Sequence, residues 1–199
     1  RTVGRLFGAG GSLAGTTVAA MAGPSAERQS PDVVPADLVR RIRAAAVDVE
    51  DVFSQYLSEP HQSHSPVMEW ARVVADAHRL WFGAATASVA PRLVSGRLPP
   101  SGRSLVEQAG AVLEEDYRRV DLWLTEGSSL KLDPLPRLVY GDTAPRGAGG
   151  EGDRATLRLL EIETWIDELA AGPDELGPLV TQLGESEKAA AMVPAATAG

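Results

Sequence analysis

The chain has 199 residues, enough for one domain with tails or two small ones, and its 44% hydrophobic content is ordinary for a globular protein. It has no cysteine, which excludes disulfides, thiolate catalysis and thiolate-ligated zinc. A formal net charge of −8 argues against nucleic acid as a partner, because binding phosphates needs clustered Lys and Arg. The densest basic cluster, Arg40, Arg41 and Arg43, is followed by Asp48, Glu50 and Asp51 and reads as a solvated helix face. Of the 19 basic residues only Lys131 and Lys188 are lysine, a bias expected of a GC-rich bacterial or phage coding sequence.

Residues 1–23 differ from the rest. Arg1 and Arg5 precede Leu6 to Ala22, an uncharged stretch containing Gly8, Gly10, Gly11 and Gly15. Its composition fits an apolar Gly/Ala-rich arm docked on another chain or in a groove of this one, with Leu6, Phe7, Leu13 and Val18 as its contacts. It also fits a targeting-like segment, with Ala20-Met21-Ala22 as a small-x-small cleavage site. In a third reading it is a helix packing closely through small residues, since Gly4/Gly8 and Gly11/Gly15 are four apart. The stretch is short and glycine-rich for a bilayer span. Residues 24–35, with Pro24, Pro31 and Pro35, read as a linker.

Four amphipathic helices follow. In the first, Leu38, Ile42, Ala45, Val49, Val52 and Tyr56 recur at alternating four- and three-residue steps, ending before Pro60. The second is capped by Ser65, starts at Pro66 and carries Val67, Trp70, Val74, Ala77, Trp81, Ala84 and Ser88 before Pro91. The third opens at a capping box, Ser104-x-x-Glu107, and runs through Leu105, Ala109, Val112, Asp116, Val120 and Trp123 to Gly127, with Asp116 as its polar interruption.

Residues 128–152 are irregular. Leu130, Leu132 and Leu135 predict an extended segment covering the bundle, with a short strand at 137–140. The glycine-rich stretch after Arg146 lacks the flanking strand and GK[ST] ending of a phosphate-binding loop. The fourth helix covers 153–171 through Ala155, Leu159, Ile162, Ile166 and Leu169, with Gly172-Pro173 as terminator. A short helix at 174–183 and a mobile tail at 185–199 complete the reading. The fold class is therefore all-α: a four-helix-bundle-like core within a helical domain at 36–184, an N-terminal arm, and an irregular 128–152 segment.

No catalytic constellation stands out. The chain has no G-x-S-x-G elbow and no Glu-x-x-His pair of the di-iron bundles. No catalytic residue and no cofactor is assigned. His61, His64 and His78 fall within eighteen positions and form the candidate metal set. Trp70, Trp81, Trp123 and Trp165, with Phe53, Tyr56, Phe82 and Tyr117, serve as core, as pocket lining or as an interface, where Trp81 and Phe82 are the candidates. The functional expectation is a non-enzymatic interaction or assembly subunit of a larger bacterial or phage complex, associating with a protein partner or with itself. One alternative is a small-molecule- or metal-binding bundle using the three histidines. Another is an exported or membrane-associated protein, attached through residues 1–22, in place of a cytoplasmic one.

Overall fold

The computed structural model describes residues 1–23, 35–59, 66–89, 98–127, 130–135 and 150–192, and every regular element among them is an α-helix. The helices are α1 (Thr2–Ala22), α2 (Ala36–Ser58), α3 (Val67–Val89), α4 (Pro100–Glu126) and α5 (Glu151–Met192). The linker at 24–34, His61, His64, the strand expected at 137–140 and the last seven residues lie outside the described residues.

The centre of the molecule is α1, which touches all four other helices. Leu6, Phe7, Leu13 and Val18, expected at an interface, are 0–2% exposed and pack inside this chain. The segment read as an arm is thus a core helix, in line with the reading based on its small-residue spacing. The chemistry of the stripe explains this. Gly4, Gly8, Gly11 and Gly15 all face α4: Gly4 and Gly8 lie against Asp121, and Gly11 against the Cβ of Tyr117. At Gly15 a methyl group would sit 2.8 Å from the carbonyl oxygen of Gly110, and at Gly110 one would sit 2.9 Å from that of Gly15. The two backbones therefore meet without side chains between them. A mid-helix glycine is disfavoured by about 1 kcal/mol relative to alanine, so the isolated segment is a poor helix. Burial of its large apolar residues, at about 1.5–3 kcal/mol each, offsets that.

The other helices pack around this axis. On α2 only Leu38, Ile42, Ala46 and Val49 are buried, so it is a peripheral helix. Helix α4 begins a turn earlier than its capping box suggests: the Pro99 carbonyl accepts the Arg103 N–H at 2.9 Å, and Ser104 lies within the helix. Gly127 ends α4 in the left-handed region at φ 69°, donating its N–H to the Trp123 carbonyl.

Two polar residues of the core carry structural roles. Asp116, the polar interruption in the α4 stripe, is 3% exposed and accepts the Asp133 N–H at 3.0 Å. It holds the 130–135 segment so that Leu130, Leu132 and Leu135 rest on the core. Arg158 of α5 is 1% exposed and donates to the Met21 carbonyl at 3.2 Å, supplying a donor to the last turn of α1.

The Gly172-Pro173 pair does not end α5. The helix continues through it to Met192, absorbing the short helix and much of the tail expected beyond it. Proline lacks the N–H that would bond to the carbonyl four residues back, that of Leu169. Tyr117 of α4 donates its hydroxyl to that same carbonyl at 2.5 Å.

Candidate functional site

The eight aromatic side chains singled out in the sequence separate into three settings. Tyr117 is core, stacked on Phe7 with ring centroids 6.0 Å apart. Trp123 is partly buried against the core. Of the remaining six, five line two concave surfaces and Trp81 packs beside Phe82, and the shape of each surface follows from the helices that carry it.

The first surface lies between α3 and α5. Phe82 is 58% exposed, and its ring centroid is 4.4 Å from that of Trp81. The adjoining groove, of about 460 Å³, is lined by Phe82, Gly83, Thr86, Trp165 and Thr164 and edged by Arg79 and Glu168. Gly83 keeps this stretch of α3 thin: a methyl there would meet the tip of Leu169 at 3.3 Å. Arg79 fixes one end of the groove. Its guanidinium bridges Glu175 of α5 at 3.4 Å and Asp76 at 3.5 Å. Burial pushes the Asp76 carboxyl above its ordinary range, and the Arg79 charge opposes that shift.

The second surface is a cavity of about 270 Å³ between the start of α1 and the facing sides of α2, α3 and α4. Phe53 and Tyr56 of α2, stacked at 6.1 Å, and Trp70 of α3 supply its aromatic wall. Val49, Val74 and Leu124 complete the floor, and Arg1 and Thr2 lie at the α1 end. Its lining includes one charged residue, Arg1, and no carboxylate.

Of the candidate metal set, His61 and His64 lie outside the described residues and His78 is among them. Its Nδ1 lies 2.9 Å from the Val74 carbonyl, its Nε2 lies 3.4 Å from a Glu50 carboxylate oxygen, and its ring stands edge-on to Trp81. Among the described residues no three His, Asp or Glu side chains gather as a metal site. The carboxylate run on α4 is likewise structural. Glu114 accepts from Ser12 at 3.0 Å. Glu115 is held by Arg118 at 2.7 Å and Arg119 at 3.1 Å, which lower its pKa to about 2.

Of the six expected interface residues, the structure exposes Phe82, packs the half-buried Trp81 against it and places the other four in the core. Sequence reasoning missed Arg158, which sits between Leu157 and Leu159 and carries no local sign of burial. Among the described residues no helix is long and apolar enough to cross a membrane. No protein-family model matches the chain, nor does any curated protein or solved structure.

Proposed function

We propose that this chain is a non-enzymatic helical interaction protein, and that it engages a protein partner or a second copy of itself through the α3/α5 groove centred on Phe82. The observation carrying this reading is the exposed Phe82, packed on the half-buried Trp81, beside a groove walled by Trp165. Aromatic side chains beside a groove with a charged rim are what binding hot spots are made of, because they bring large rigid area at small entropic cost. At 58% exposed, the Phe82 ring leaves apolar area in water that a covering partner would remove.

The test uses a photoreactive phenylalanine analogue at position 82 in the producing cell, together with sedimentation velocity of the purified chain. A defined cross-linked species, or a concentration-dependent dimer, that is lost in Phe82→Asp supports the reading. Absence of both, in a chain whose circular dichroism is unchanged, removes it.

A further inference from the structure

We infer that the α3/α5 groove receives the outward face of α2 from a second copy of this chain, so that copies join head to tail. The inference rests on the groove reading above and names its occupant. Each chain carries both halves of the contact.

The receiving half is aromatic at its centre and acidic along α5. Helices α3 and α5 run antiparallel here, with Arg79 reaching Glu175 and Gly83 facing Leu169. On α5, Glu161, Thr164, Trp165 and Glu168 fall on one stripe, which the exposed Leu157 and Leu160 continue. Arg79 is the cation among the described lining residues, and Asp76 and Glu175 already bridge it. Arg158 of α5 is buried at the Met21 carbonyl, so it does not offset these acids at the surface. Glu168 has no ion-pair partner among the described residues. The groove thus keeps a negative edge beside its apolar rings.

The entering half is the face that α2 turns away from its own core. Leu38, Ile42, Ala46 and Val49 point inward, and Ala36, Arg40, Arg43, Val47 and Asp51 form an exposed stripe on the other side. Arg41 is bridged to Asp37 at 3.5 Å, whereas Arg40 and Arg43 have no ion-pair partner among the described residues. The lengths agree: at about 1.5 Å per residue, Arg40 to Asp51 covers about 17 Å of α2 and Arg72 to Thr86 about 21 Å of α3. The charges agree as well. Laid parallel to α5, the entering helix brings Arg40 and Arg43 to Glu161 and Glu168, Val47 to the Phe82 and Trp165 rings, and Asp51 to the exposed Arg72. In the reverse direction like charges meet. The two faces share no residue, so the contact is heterologous, and association continues past the dimer unless a ring closes.

The experiment is sedimentation velocity of the full chain over a concentration series, at low salt and at about 1 M salt, where the screening length falls to about 3 Å. Species that grow with concentration are expected, and salt should weaken them. Arg43→Glu and Glu168→Arg change exposed positions, so the helical signal should stay as it is. Each variant alone should associate at least about tenfold more weakly, because like charges then face each other across the contact. An equimolar mixture of the two should regain association, since the altered face of one meets an opposite charge in the altered groove of the other. Mixing does not repair a folding defect, so recovery reports the contact itself. A chain that stays monomeric throughout overturns the inference; if position 82 then cross-links to a different protein, the interaction reading stands without it. Self-association that is indifferent to Arg43→Glu but lost in Phe82→Asp also overturns it, by giving the groove another occupant. Absence of both cross-link and self-association removes the two readings together.

Discussion

The hydroxyl of Tyr117 donates to the Leu169 carbonyl, the one acceptor in α5 that Pro173 leaves without a helical donor. Gly172 makes the approach possible. A methyl group there would lie 2.8 Å from the Tyr117 oxygen, and Tyr117 is held by its stack on Phe7. Glycine and proline act here as one device: the first opens a niche, the second frees an acceptor, and a tyrosine from α4 fills both. This lets α5 run on past a sequence that ordinarily stops a helix.

Removing the hydroxyl should therefore leave a buried carbonyl unsatisfied. Tyr117→Phe is expected to destabilise the chain by about 1–3 kcal/mol, which lowers Tm by about 2–4 °C per kcal/mol at this size. Gly172→Ala should cost about 1–3 kcal/mol through overpacking against the same oxygen. The two effects should be less than additive in the double variant, because the phenylalanine removes the atom the methyl meets. In the Tyr117→Phe background, Pro173→Ala should recover stability by restoring a main-chain donor to Leu169. Urea denaturation of the four variants checks the cycle; full additivity of the first two would show that they do not share a contact.

The α1/α4 crossing makes a sharper distinction among glycines. At Gly15 and Gly110 the added methyl meets main-chain oxygen at 2.8 and 2.9 Å, and a helix backbone cannot step aside locally. Gly15→Ala and Gly110→Ala are each expected to lose about 1–3 kcal/mol, overpacking outweighing the gain in helix propensity of about 1 kcal/mol. At Gly83 the methyl meets only the tip of Leu169 at 3.3 Å, a side-chain end that can yield. Gly83→Ala should be neutral or stabilising by up to about 1 kcal/mol. Thermal unfolding of the three single variants measures this, and equal effects at all three would contradict the close approach.

The parts of this structure that were legible in the sequence are those written in large apolar residues. Leu38, Ile42 and Val49 of α2, Val74, Ala77 and Ala84 of α3, and Leu159, Ile162 and Ile166 of α5 lie on their predicted stripes and are buried. What stayed hidden was written in absences. A glycine stripe carries little hydropathy, so α1 reads as a loose arm until α4 is present to show what the missing side chains make room for. The Gly172-Pro173 stop was overridden by a hydroxyl from a residue far along the chain. The two aromatic concavities depend on which helix faces meet, which periodicity within one helix does not encode. Of the three histidines spaced to suit a metal, only His78 is among the described residues, with Val74 and Glu50 beside it.

Asp116 is expected to behave as an anchor rather than as a surface carboxylate. Its Oδ1 accepts the Asp133 N–H at 3.0 Å, while Arg119 bridges to Asp133 at 2.8 Å and donates to the Lys131 carbonyl at 3.0 Å. Asp116→Ala deletes the buried acceptor and should cost about 1–3 kcal/mol. The specific readout is hydrogen exchange. The Asp133 amide should lose its protection in this variant while amides in the middle of α4 keep theirs, and retained protection at Asp133 would rule out the anchoring role.

The pH dependence should reverse the usual pattern for carboxylates on the acid side of neutrality. Burial is the main cause holding the carboxyls of Asp76, Asp116 and Asp121 above their ordinary value of 3.8. A raised folded-state value means that the folded chain binds more protons than the unfolded one between the two values, so these groups stabilise the fold as pH falls through their folded values. Glu115 works in the opposite sense. Its value is lowered from 4.5 to about 2, so its contribution is present above 4.5 and is lost as pH falls toward 2. That contribution is small, because the Glu115 side chain is 37% exposed and screened by solvent. Stability should therefore rise as pH falls through the folded values of the three aspartates toward 3.8, with Glu115 offsetting a smaller part of that between 4.5 and about 2. Asp121 gives the cleanest check. Its Oδ1 is buried against Gly4 without a hydrogen-bond partner, facing the positive charge of Arg5 and the negative charge of Glu126. Asp121→Asn keeps the shape and removes the titration, so it should raise the urea midpoint at pH 7 and flatten its rise as pH falls toward 3.8. An unchanged slope would assign the pH dependence to relief of the general repulsion in a chain of net charge −8.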